Sequence, residues 1–215
     1  MTARANRLGL GTALGLAALA AGAWPARAVP SPSTSHVPAH VVMVGRVGTQ
    51  ADTAFGAFTV VVRDVANAPV ANSSVEFRVL NCEGARLATD ALQPGVSTRC
   101  DTHGITAVTD VNGEVRLTLI GGGTPGAAPG GGSCAQVFAS GVLLGMVSVS
   151  FLDMDGQRGL GVNDLSLWLA DLALNEPISR SDFDGNGALT PNDLSVWLTA
   201  WSRAKSYESA SSYCP

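Results

Sequence analysis

A stretch of twenty residues near the C-terminal end occurs twice, 29 residues apart and without gaps. DMDGQRGLGVNDLSLWLADL, from Asp153, aligns with DFDGNGALTPNDLSVWLTAW, from Asp182, and ten of the twenty positions are identical. A tandem repeat of this kind marks one supersecondary unit used twice. Each copy has an acidic, Gly-containing segment and then an apolar stripe. Leu165, Trp168, Leu169 and Leu172 recur at i, i+3, i+4, i+7, as do Leu194, Trp197, Leu198 and Trp201. That period predicts helices over 162–172 and 191–201, with Pro191 suited to a helix start. The stripe assigns Trp168 and Trp197 to core packing rather than to sugar stacking.

The acidic segments read as twelve-residue calcium loops. In the second copy, Asp182, Asp184 and Asn186 stand at positions 1, 3 and 5. Gly187 turns the chain at position 6, Ala188 offers its carbonyl at position 7, Thr190 stands at position 9 and Asp193 closes the loop at position 12. Calcium takes six to eight oxygens at about 2.3–2.6 Å, and alternate Asp and Asn on a tight loop aim theirs at one centre. In the first copy Asp153, Asp155, Gln157, Gly159 and Asp164 hold positions 1, 3, 5, 7 and 12, but Arg158 replaces the turn glycine. A non-Gly residue in the left-handed conformation costs ~1–2 kcal/mol. Two calcium sites are therefore expected, the second stronger. Leu160 and Leu189, both at position 8, are expected to pair across a short strand contact.

A loop followed by a helix, used twice with Asp at position 12, resembles the dockerin module, an EF-hand relative, over Asp153 to about Ala204. The resemblance implies two calcium ions and a cohesin-like partner. The cohesin-facing positions would fall on Val162, Asn163, Pro191 and Asn192, where family members often carry Ser or Thr.

The first 28 residues read as a secretory signal peptide: Arg4 and Arg7, an apolar stretch from Leu8 to Gly22, and Ala26-Arg27-Ala28 as an A-x-A-like cleavage site before Val29. No later segment is long and apolar enough to span a membrane. Without the leader 10 basic and 17 acidic residues remain. A net charge near −7 with no basic run excludes nucleic-acid binding and suits cation capture. Four cysteines, Cys82, Cys100, Cys134 and Cys214, are read as an oxidised pair of disulfides. Of the three connectivities, Cys82–Cys100 with Cys134–Cys214 is the expectation, because the first pair closes a short polar excursion.

Residues 29–38 read as a flexible Pro/Ser lead-in. From Ala39 to Phe151 the pattern is strand-like: Val75, Phe77 and Val79 alternate with Glu76 and Arg78, and 114–120 alternates again after an Asp110-Val111-Asn112-Gly113 turn. About seven strands predict a β-sandwich. FTVVVRDVANAPVANSSVEFRVL and TDVNGEVRLTLIGGG resemble the invasin/intimin-type bacterial immunoglobulin-like domain over roughly Ala57 to Ile120, which implies a rigid spacer or adhesive module. The expected fold is thus an all-β immunoglobulin-like sandwich over 39–151, followed by a small α-helical pair of calcium loop-helix motifs over 152–204 and a tail over 205–215.

The function expected is non-catalytic: a secreted calcium-binding spacer or adhesive module with a docking pair. There is no G-x-S-x-G and no HExxH, and a small sandwich leaves little room for a facing carboxylate pair. The alternatives are a hydrolase-associated component of a polysaccharide-degrading system, or an adhesin for a cell-surface glycan.

Overall fold

The computed structural model describes residues 28–124, 132–174, 178–203 and 206–215. The signal-peptide reading, apart from Ala28, lies outside them. In chain order the elements are β1 (His40–Met43), β2 (Arg46–Val47), β3 (Gln50–Ala51), α1 (Thr53–Gly56), β4 (Ala57–Val61), β5 (Ser74–Arg78), β6 (Arg86–Leu87) and β7 (Ser97–Arg99). There follow β8 (Gly104–Val108), β9 (Glu114–Thr118), β10 (Gly121–Gly122), β11 (Ala135–Ala139), β12 (Val142–Phe151), α2 (Val162–Leu174), α3 (Pro191–Trp201) and β13 (Tyr207–Glu208).

Six strands form one sheet in the order β1-β12-β11-β5-β8-β7, antiparallel except where β1 runs parallel to β12. The β11–β12 hairpin turns through Ser140 and Gly141, both at positive φ, as a two-residue turn matched to strand twist requires. The expected alternation is realised: Val75 and Phe77 of β5 are fully buried and Glu76 and Arg78 are not. A β4–β9 ribbon supplies Val60, Val115 and Leu117 to the same core. The lead-in is stitched to this ribbon, with reciprocal backbone hydrogen bonds between His36 and Val61 at 2.8 and 2.9 Å.

The expected architecture is corrected on two points. The β region is one curled six-stranded sheet with small satellite sheets, containing a parallel pair that a purely antiparallel sandwich lacks. The C-terminal third is not a separate helical EF-hand pair. Each acidic loop is entered from extended chain or a turn and only left by a helix. The apolar faces of α2 and α3 do not form a core of their own. Trp168, Trp197 and Ala200 instead share a cluster with Val42 and Val44 beside β12, Leu152, and Tyr207 of β13. The tail returns to the β region, where β13 pairs with β2.

The disulfides also differ from the expected pairing. They join Cys82 to Cys134 and Cys100 to Cys214. Sheet order explains the change: β5 pairs with β11, so the chain leaving β5 at Cys82 meets the chain entering β11 at Cys134.

Candidate metal centre

Both repeats fold into the same local circuit. Asp153 accepts from the backbone N–H of Gly156 at 2.7 Å and Arg158 at 3.0 Å. Its counterpart Asp182 accepts from Gly185 at 2.9 Å and Gly187 at 2.8 Å. The closing acids work alike. Asp164 accepts from Met154 (2.7 Å), Asp155 (3.0 Å) and Gly161 (2.8 Å), and Asp193 from Asp184 (3.0 Å) and Thr190 (2.8 Å). Asp193 also completes a capping box with Thr190 at the start of α3. Each cluster brings one carboxylate oxygen per aspartate within 4.8 Å of the others: Asp153, Asp155 and Asp164 in the first, Asp182, Asp184 and Asp193 in the second.

The turn residues follow the ligand pattern as well. Arg158 adopts φ 67° where Gly187 has φ 84°, so the arginine occupies the left-handed conformation that its position demands. At position 5, Asn186 Oδ1 accepts the Ala188 N–H at 2.9 Å, while Gln157 N–H donates to Asp155 at 2.9 Å. Gly159 and Ala188 hold the position-7 carbonyls.

Environment separates the two. Asp153, Asp155 and Asp164 are all buried, whereas Asp184 is exposed. The first loop is wrapped by two segments the repeat does not contain. Gly123 donates to the Asp153 carbonyl at 2.6 Å, and a Cβ on Gly122 would stand 3.1 Å from Asp153 Oδ2. From the other side Ser209 hydroxyl donates to Asp153, and Tyr213 lies 3.4 Å from the same oxygen. Burial pushes Asp153 up to about 7 against the Ser209 hydroxyl, with the Asp164 and Asp155 carboxylates adding to it. Burial raises Asp164 too, against three backbone N–H donors.

His40 lies against the second loop, where a Cβ on Gly185 would meet it at 2.7 Å. Burial lowers its pKa, opposed by Asp182, Asp184 and Asp193.

Comparison with known proteins finds no matching family model, curated protein or solved structure.

The two carboxylate clusters were legible from spacing. Gly122, Gly123, Ser209, Tyr213 and His40 were not, since they reach the loops only through the fold. Also missed was the buried ion pair in which Arg180 grips Asp171 through Nε (2.7 Å) and Nη2 (2.6 Å). It ties α2 to the chain that enters the second loop.

A donor set made only of oxygens, with no Cys or His in either cluster, fits a hard cation and not a soft one. Three buried carboxylates close together repel one another and lack bulk water, and a divalent ion relieves both costs.

Proposed function

We propose that this is a secreted, non-catalytic protein whose two acidic loops bind calcium and thereby hold the C-terminal helices on the β body. The observation that carries the reading is the buried Asp153–Asp155–Asp164 cluster. Backbone N–H groups fix its oxygens, and its largest unrelieved cost is carboxylate desolvation. The repeated Asp182–Asp184–Asp193 cluster supports it. Secretion is supported by the leader pattern, by two disulfides, and by the fact that no helix of the described residues is long and apolar enough to cross a membrane.

Calcium fills the second loop more tightly. Asn186 is short and braced, and Gly187 turns without strain. In the first loop a proton on Asp153 competes with the ion near neutral pH. The calcium-ordered end serves as a docking element, in line with the dockerin resemblance, and the β body serves as its spacer. Circular dichroism and thermal melts of the mature chain, in chelator and then in calcium, test the reading. Calcium is expected to raise the midpoint by several degrees, because ligand free energy adds to folding free energy. An unchanged midpoint and helix signal would sink it.

A further inference from the structure

We propose that Trp168 and Trp197 couple the two loops, each tryptophan positioning the first ligand of the other loop. This rests on the reading of both loops as calcium sites. The 29-residue offset relates Trp168 to Trp197 and Leu152 to Ser181. Trp168, on the helix leaving the first loop, donates its indole N–H to the carbonyl of Ser181 at 3.2 Å. Ser181 enters the second loop. Trp197, on the helix leaving the second loop, donates to the carbonyl of Leu152 at 3.0 Å. Leu152 enters the first. Each of these carbonyls belongs to the peptide bond of a position-1 aspartate, Asp182 or Asp153. The indoles are 2% and 0% exposed, so neither N–H has bulk water as a substitute partner and each bond holds its backbone in place.

Each tryptophan also stands four residues after the closing aspartate of its own loop, as Asp164–Trp168 and Asp193–Trp197. Residues at that spacing lie one turn apart on one helix face. An ion that draws in Asp193 therefore sets α3, α3 sets Trp197, and Trp197 sets the backbone at Leu152 and Asp153. The mirror path runs from Asp164 through Trp168 to Ser181 and Asp182. The two entering segments are joined directly as well, since Phe151 N–H donates to the Arg180 carbonyl at 3.2 Å, again across 29 residues. The route expected from sequence, a strand contact between Leu160 and Leu189, forms no β-bridge among the described residues. Leu160 goes into the shared core instead.

The test is isothermal titration of calcium into the full mature chain in single-site backgrounds. Asp182→Asn leaves the first loop working, and Asp153→Asn leaves the second. In the first background Trp197→Phe weakens binding about three- to tenfold, as loss of one buried hydrogen bond predicts, while Trp168→Phe changes it less than about twofold. In the second background the two effects exchange. A purely structural role would act on a tryptophan's own loop, or on both loops alike, and either pattern overturns the coupling. The indole N–H resonances supply a readout without any tryptophan variant: filling the first loop alone shifts Trp197, and no shift overturns the coupling. Absence of calcium binding by the unmutated chain overturns both this coupling and the calcium reading. Binding with uncrossed losses overturns the coupling alone.

Discussion

The two acidic loops share their carboxylate spacing and internal hydrogen bonds, and the fold treats them differently. The first is wedged between the Gly122–Gly123 backbone and the returning tail, with all three carboxylates buried. The second keeps Asp182 and Asp193 buried but leaves Asp184 exposed, with His40 on one flank. Carboxylate geometry is thus a local property, encoded within twelve residues. The dielectric around the carboxylates is a tertiary property, because it depends on segments far away in sequence. Four measurements test how far the two loops differ.

The largest effect is expected at the entry to the second loop. Asp171→Ala removes the buried carboxylate that grips Arg180 through two nitrogens, and breaking a buried ion pair from one side costs about 3–5 kcal/mol. Urea unfolding should report it. A loss below about 1 kcal/mol would mean that Arg180 turns to water and that this entry is softer than it looks.

Next is the tail that encloses the first loop. Replacing both Cys100 and Cys214 by Ser opens a disulfide spanning 114 residues, at a cost of about 2–4 kcal/mol. Calcium affinity should fall at the first loop and hold at the second, because Ser209 and Tyr213 belong to the released segment. Equal losses at both loops would dissolve the distinction drawn here.

The third measurement is pH dependence without metal. Asp153 stands near 7 in the folded chain against an ordinary 3.8, so between those values the native state holds the extra proton. Its stabilising contribution is complete below about pH 4 and lost as pH rises through 7. Asp164, also raised, acts in the same direction. His40, lowered, acts in the opposite one: its contribution is complete above its ordinary value of 6.5 and is lost as pH falls through its lowered folded value. Comparison with Asp153→Asn isolates the aspartate. In chelator the unmutated chain should lose about 5 °C more than the variant between pH 5 and 8. Asp182→Asn should leave that drop intact, and saturating calcium should abolish it. A flat profile would show that the first loop is better solvated than its burial indicates.

The smallest effect concerns the turn. Arg158→Gly relieves a left-handed backbone, partly offset by the greater unfolded-state entropy of glycine, for a net gain of about 1 kcal/mol in the calcium-bound chain. Gly187→Ala should lose about as much, since a Cβ there meets nothing within 4 Å and the backbone term stands alone. Thermal midpoints should therefore move in opposite directions by about 2–4 °C. Movement in the same direction would show that the two turns are not equivalent.

Local pattern was enough for the strands of alternating period, both helices, the two carboxylate clusters and the strained turn at Arg158. Their determinants lie within a few residues of one another, in side-chain period, cap chemistry and carboxylate spacing. Disulfide pairing was not legible, because Cys82 meets Cys134 only once β5 and β11 lie side by side. Nor was the loss of a separate helical unit, since nothing in the stripes of α2 and α3 states that β1, Leu152 and Tyr207 complete their core. The enclosure of Asp153 by Gly123, Ser209 and Tyr213 was equally hidden. Those contacts span 30 to 60 residues and exist only after the chain closes. Which of two near-identical loops has all three carboxylates buried depends on desolvation, a sum over everything packed around a charge, and no twelve-residue pattern contains that sum.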